Sequence, residues 1–71
     1  NMNLELLVNK IEESKISRST IAETIGITRQ GLYNKLDGKK EFKVSEINQL
    51  SKILKLTSNE REAIFFSDYV G

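Results

Sequence analysis

Neither cysteine nor histidine occurs anywhere in the 71 residues. Their absence excludes disulfide scaffolds, the usual zinc sites, cysteine nucleophiles and histidine acid–base groups, so stability has to come from packing alone. No metal or cofactor is expected. A cysteine-free chain fits a reducing cytosol. No proline, internal repeat or low-complexity tract interrupts the pattern. No apolar run approaches the ~20 residues of a membrane-spanning helix, and the N-terminus lacks the basic stretch and apolar core of a signal peptide. A cytoplasmic protein with no membrane partner is expected. Asn1 precedes Met2 and reads as a cloning remnant, which leaves residues 2–71 as a single domain. That length lies near the lower limit for one unstapled core.

The net charge is only +1, but it is unevenly distributed. Residues 1–13 carry −2 and residues 44–71 carry −1. Between them, Lys15, Arg18, Arg29, Lys35, Lys39, Lys40 and Lys43 face only Glu23, Asp37 and Glu41, so the centre of the chain carries +4.

Apolar spacing predicts an all-α fold of five helices. Leu4, Leu7, Val8 and Ile11 mark one face of a first helix over about 4–14, with Asn3 as N-cap. Ser17 can cap a second, carrying Ile21, Ala22 and Ile25 and closed by Gly26. Thr28 can cap a third, with Leu32, Tyr33 and Leu36 inward or at its edge, closed by Asp37-Gly38. After a basic loop, Val44, Ile47, Leu50, Ile53 and Leu54 predict a fourth helix over about 44–55. Thr57 or Ser58 can cap a fifth that buries Ala63, Ile64 and one or both of Phe65 and Phe66. The tail from Phe65 to Val70 is rich in aromatic and β-branched residues and could alternatively be extended.

The stretch from Arg18 to Leu36 reads RSTIAETIGITRQGLYNKL. Two short helices crossing steeply need a small residue at their closest approach and a turn residue tolerant of positive φ. Ala22 and Gly26 supply them. Ile27 and Leu32 then anchor the second of the two helices, which leaves Arg29, Gln30, Tyr33 and Asn34 free to project outward. In these residues, with Gly38 and the later segment EINQLSKILKLT, the chain resembles the phage repressor and Cro-type helix-turn-helix family over about residues 3–65. The resemblance implies a compact five-helix, lambda-repressor-like domain with its helix-turn-helix at about 18–36, of phage or prokaryotic origin. One position departs from the pattern: the apolar residue three after Leu32 is Lys35, with Leu36 taking over its role.

The resemblance also implies double-stranded DNA as partner and transcription regulation as function. It makes Arg29, Gln30 and Asn34 the base readers and Arg18 a phosphate contact; Tyr33 beside them is a further base-reading candidate that could also stack or hydrogen-bond at the DNA backbone. The chemistry suits them, since Arg can pair with guanine O6 and N7 while Gln and Asn can pair with adenine N6 and N7. Thr28, Lys39, Lys40 and Lys43 flank the same face as phosphate candidates. Tyr33 has a second reading, as a cap on the edge of the core. Gly31 inside the third helix has two readings: close approach to DNA or to the second helix, or a weak helix former tolerated at an exposed site.

Phe65, Phe66, Tyr69 and Val70 offer more apolar surface than a short final helix buries on one side. Either they form a homodimer seam, which a two-half-site operator would use, or they close the monomer core over the first helix. No ligand-sensing domain is expected beyond residue 71. A rival reading makes the chain a protein-interaction module, antitoxin-like or adaptor-like, that docks through a helical face or its aromatic C-terminus. An enzyme is not expected. Ser17, Ser19 and Thr20 lack a histidine to activate them, and Glu12 and Glu13 diverge by about 100° on a helix.

Overall fold

A computed structural model describes residues 2–66. Its five helices are α1 (Leu4–Ser14), α2 (Arg18–Ile25), α3 (Arg29–Leu36), α4 (Val44–Ile53) and α5 (Ser58–Phe65), and no strand occurs among the described residues. Four of the helices begin at a side-chain oxygen that the sequence puts in place. Asn3 Oδ1 accepts from the Leu6 N–H, Ser17 Oγ from Thr20, Thr28 Oγ1 from Gly31 and Thr57 Oγ1 from Glu60, at 2.9–3.1 Å. Each such cap is worth about 1 kcal/mol against alanine. At α5 the capping is reciprocal, because Glu60 Oε1 accepts the Thr57 N–H at 2.9 Å. The fourth helix differs. Its N-cap is Lys43, whose side chain has no acceptor, so Glu46 reaches back one turn to take the Lys43 N–H at 2.9 Å.

The turns follow from backbone conformation. Gly26 stands at φ 81°, and the following Ile27 N–H closes on the Ala22 carbonyl at 2.9 Å. This ends α2 after only two turns and redirects the chain into α3. Gly38 repeats the φ of 81° past the end of α3. Helix α4 stops at Ile53, two residues short of the sequence expectation, because Lys55 turns left-handed at φ 53°.

The core joins all five helices. Leu7 and Ile11 of α1, Ile21, Ala22 and Ile25 of α2, and Leu32 and Leu36 of α3 meet Ile47 and Leu50 of α4 and Ile64 and Phe65 of α5. Helix α2 packs against both α3 and α4, while α1 lies against α3 and α5. Two ties hold the ends together: the Asn3 N–H donates to the Ile64 carbonyl at 2.7 Å, and Lys10 pairs with Glu60 at 2.5 Å.

Three residues depart from the pattern-based reading. Val44 is 72 % exposed, because it opens α4 before that helix reaches the core. Phe42, unassigned in the charged loop, is buried in its place and meets Phe65 edge-on at 6.4 Å. Ala63 faces solvent, since Ile64 and Phe65 take the buried side of α5.

Candidate nucleic-acid interface

The short α2, ended by Gly26, places the start of α2 beside the outer face of α3. Arg18 opens α2 and its guanidinium lies 5.7 Å from the Tyr33 ring centroid; Arg29 opens α3 and lies 5.6 Å from the same ring. Both distances fall within cation–π range. An Arg29 Nη2 donor reaches the Tyr33 hydroxyl at 3.5 Å, a long bond on an exposed face. The hydrogen bond from Arg29 and the positive charge of both arginines hold the Tyr33 phenol below its usual value. Tyr33 is half-buried, and its hydroxyl faces the arginines.

One residue along α3, Gln30 Nε2 donates to Asn34 Oδ1 at 3.1 Å, as the i, i+4 spacing allows. The bond orients both amides and uses neither Gln30 Oε1 nor the Asn34 amino group. Arg29 and Gln30 are exposed and Asn34 is half-buried. The four residues singled out on α3 therefore form two side-chain pairs, one of which, Arg29–Tyr33, lies beside Arg18. Arg18 Nη2 lies 4.0 Å from Glu12 Oε2, while its Nε is buried without a hydrogen-bond partner among the described residues. The Thr28 hydroxyl is engaged as the N-cap of α3, on the same end of the helix.

Gly31 has a local explanation that neither sequence reading contains. A Cβ there would stand 3.1 Å from Thr28 Oγ1, the oxygen that accepts the Gly31 N–H. A side chain would crowd the cap that starts the helix.

Lys39, Lys40 and Lys43 are exposed on the loop between α3 and α4. Lys35, counted above with the central positive charge, is not on the surface. Its side chain is only 10 % exposed and pairs with Glu46, 7 % exposed, at 2.5 Å. Leu36 is buried as expected, but Lys35 is buried beside it, so one position does not replace the other.

At the C-terminal end, Phe65 is 5 % exposed and belongs to the monomer core. Of its two weighed roles, core closure is the observed one. Phe66 is half-buried under the Arg61 guanidinium at 5.7 Å. Tyr69 and Val70 lie outside the described residues. Arg61 also donates to Asn48 Oδ1 at 2.6 Å and so ties α5 to α4.

Ser17, Thr20, Glu12 and Glu13 all have structural partners. Ser17 caps α2 and donates its hydroxyl to Thr20 Oγ1 at 2.9 Å, and Glu12 and Glu13 turn toward different cations, Arg18 and Lys10. Among the described residues no carboxylate cluster could hold a metal ion, and no helix is long and apolar enough to cross a membrane. Comparison with protein-family models, curated proteins and solved structures found no match.

Proposed function

We propose that this protein is a sequence-specific double-stranded-DNA-binding regulator of the Cro and repressor kind, with α2 and α3 as its helix-turn-helix in a lambda-repressor-like arrangement. The observation that carries the reading is on α3, where Arg29 pairs with Tyr33, Gln30 pairs with Asn34, and Arg18 of α2 lies over the Tyr33 ring. Arg29 has no carboxylate within ion-pair distance among the described residues. In this reading the N-terminal half of α3 enters a major groove, Arg29 takes guanine, and the Gln30–Asn34 pair takes adenine. Arg18, Thr28 and the exposed Lys39, Lys40 and Lys43 hold phosphates on either side. A homodimer on a pseudo-palindromic site is the working form, since one module of this size buries only ~600–1,000 Å² on DNA. The protein works without a cofactor in the bacterial cytoplasm, on the nucleoid.

The rival protein-docking reading loses Phe65 to the core. The two are separated by selecting duplexes from a random pool and measuring anisotropy against a scrambled control at low and near-physiological salt. Selective enrichment of a two-half-site sequence, with affinity falling steeply as salt rises, supports the DNA reading. Its absence, or a salt-insensitive complex, defeats that reading. Neutralising Lys39, Lys40 and Lys43 together should weaken DNA binding and leave docking through Phe66 and Tyr69 untouched.

A further inference from the structure

Lys35 and Glu46 are the charged side chains buried among the described residues. Glu46 Oε1 accepts from Lys35 Nζ at 2.5 Å and from the Lys43 N–H at 2.9 Å. The ammonium also lies 5.9 Å from the centroid of Phe42, whose ring meets Phe65 of α5. One carboxylate thus gathers the last turn of α3, the basic loop and the first turn of α4, with α5 one ring away. Two apolar side chains of similar volume would be at least as stabilising here, so stability is a poor reason for an ion pair. An ion pair adds direction. The Lys43 N–H holds the Glu46 carboxylate at the start of α4, and α3 must then stand where the Lys35 ammonium reaches it, whereas apolar contacts tolerate sliding and rotation.

We propose that the Lys35–Glu46 pair is a positioning device that fixes the rotation of α3 and the path of the Lys39–Lys43 loop, and so sets how sharply the protein discriminates among duplexes. The second half of this inference rests on the DNA-reading function above. Lys35 follows Asn34 directly on α3, so any rotation that frees the ammonium also turns the face carrying Arg29, Gln30 and Asn34. Lys39, Lys40 and Lys43 lie on the strap between the two partners. The pair therefore sets the spacing between the base-reading side chains and the cations that hold phosphate.

The test uses the full chain with K35M and E46Q combined. Met keeps the length of the stem, and Gln keeps an oxygen for the Lys43 N–H, so no buried charge is stranded. Thermal melting checks that the variant folds; K35M/E46L, which fills the site with apolar atoms but removes the Lys43 N–H acceptor, is the second variant and carries the same expectations for residues 38–42 and for duplex preference. In the free protein, amide hydrogen exchange over residues 38–43 should quicken about ten-fold. Preference for the selected over the scrambled duplex should fall about ten-fold, while affinity for the scrambled duplex stays within about two-fold. Unchanged exchange overturns the positioning role whatever the DNA data show. Faster exchange with unchanged preference overturns the link to specificity. If the parent chain prefers no duplex, the DNA reading fails and takes that link with it, and exchange alone then decides the positioning role.

Discussion

Lys35 and Phe42 are buried, while Val44, two residues on from Phe42, faces water. A lysine on a short helix has the character of a solvated cation, and its partner Glu46 lies eleven residues on, in another helix. Local spacing cannot pair them. The available signal was a lysine in a position that usually holds an apolar residue, together with a glutamate three residues after the N-cap of α4. Phe42 carries no periodicity, since charged residues surround it, and only the chain path reveals that it enters the core. Val44 has helical spacing yet faces water, because a helix's first residue can precede its packed face. These environments give opposite mutational outcomes: Phe42→Ala should cost about 3–5 kcal/mol, whereas Val44→Lys should change stability by less than about 0.5 kcal/mol. Urea denaturation at neutral pH measures both, and equal costs would contradict the burial assigned here. Tyr33 offers a spectroscopic check. Its phenol should titrate below the ordinary value near 10, and Arg29→Ala should bring it back up, because the Arg29 hydrogen bond is the largest cause of the shift. Absorbance of the phenolate near alkaline pH reads this, and a titration unmoved by the substitution would contradict the contact.

At the scale of elements, the helix starts were the most legible feature. Asn3, Ser17, Thr28 and Thr57 all cap as their side chains suggest, because a cap is a local bond between residues three apart. The start of α4 was legible in position but not in cause, since its cap comes from Glu46 inside the helix. The end of α4 was misplaced because a lysine in left-handed conformation gives no warning of itself. Gly26 is the opposite case, a turn residue whose chemistry announces its geometry. At its φ of 81° a Cβ has open space around it, so only backbone strain opposes a side chain. Gly26→Ala is therefore expected to destabilise by about 1–2 kcal/mol, readable as a lower urea midpoint at unchanged slope. A neutral or stabilising effect would contradict the left-handed turn between α2 and α3.

For the whole molecule, fold class and helix order follow from apolar spacing, while the surface charge does not follow from counting. Burial of Lys35 removes one cation from the central excess, and Arg18 shares its charge with Glu12, so the proposed interface is less basic than the sequence count. Selectivity in the proposed function accordingly rests on the Arg29, Gln30 and Asn34 contacts more than on bulk attraction. The paired carboxylates also set the acid response. Burial pushes the Glu46 carboxyl up, but the hydrogen bonds from Lys35 and the Lys43 N–H outweigh it and hold the group below the usual range. Glu60 is lowered chiefly by its hydrogen bond with Lys10. A carboxyl lowered in the folded state binds fewer protons than in the unfolded chain, so its contribution is present above the ordinary value of about 4.3. It is lost as pH falls through the folded value. The melting temperature should therefore drop steeply below about pH 4, and less steeply in the K35M/E46Q variant. Identical acid profiles would mean that Glu46 does not contribute to the response.

The central claim is that the exposed face of α3 reads bases. It is tested most directly by measuring affinities for the selected duplex and for each of its single base-pair substitutions, with the parent chain and with Arg29→Ala. The account predicts that the parent loses about 1–3 kcal/mol at each of a few positions, and that Arg29→Ala abolishes discrimination at one of them while leaving the others intact. A uniform loss across all duplexes, or discrimination that survives Arg29→Ala everywhere, would contradict it.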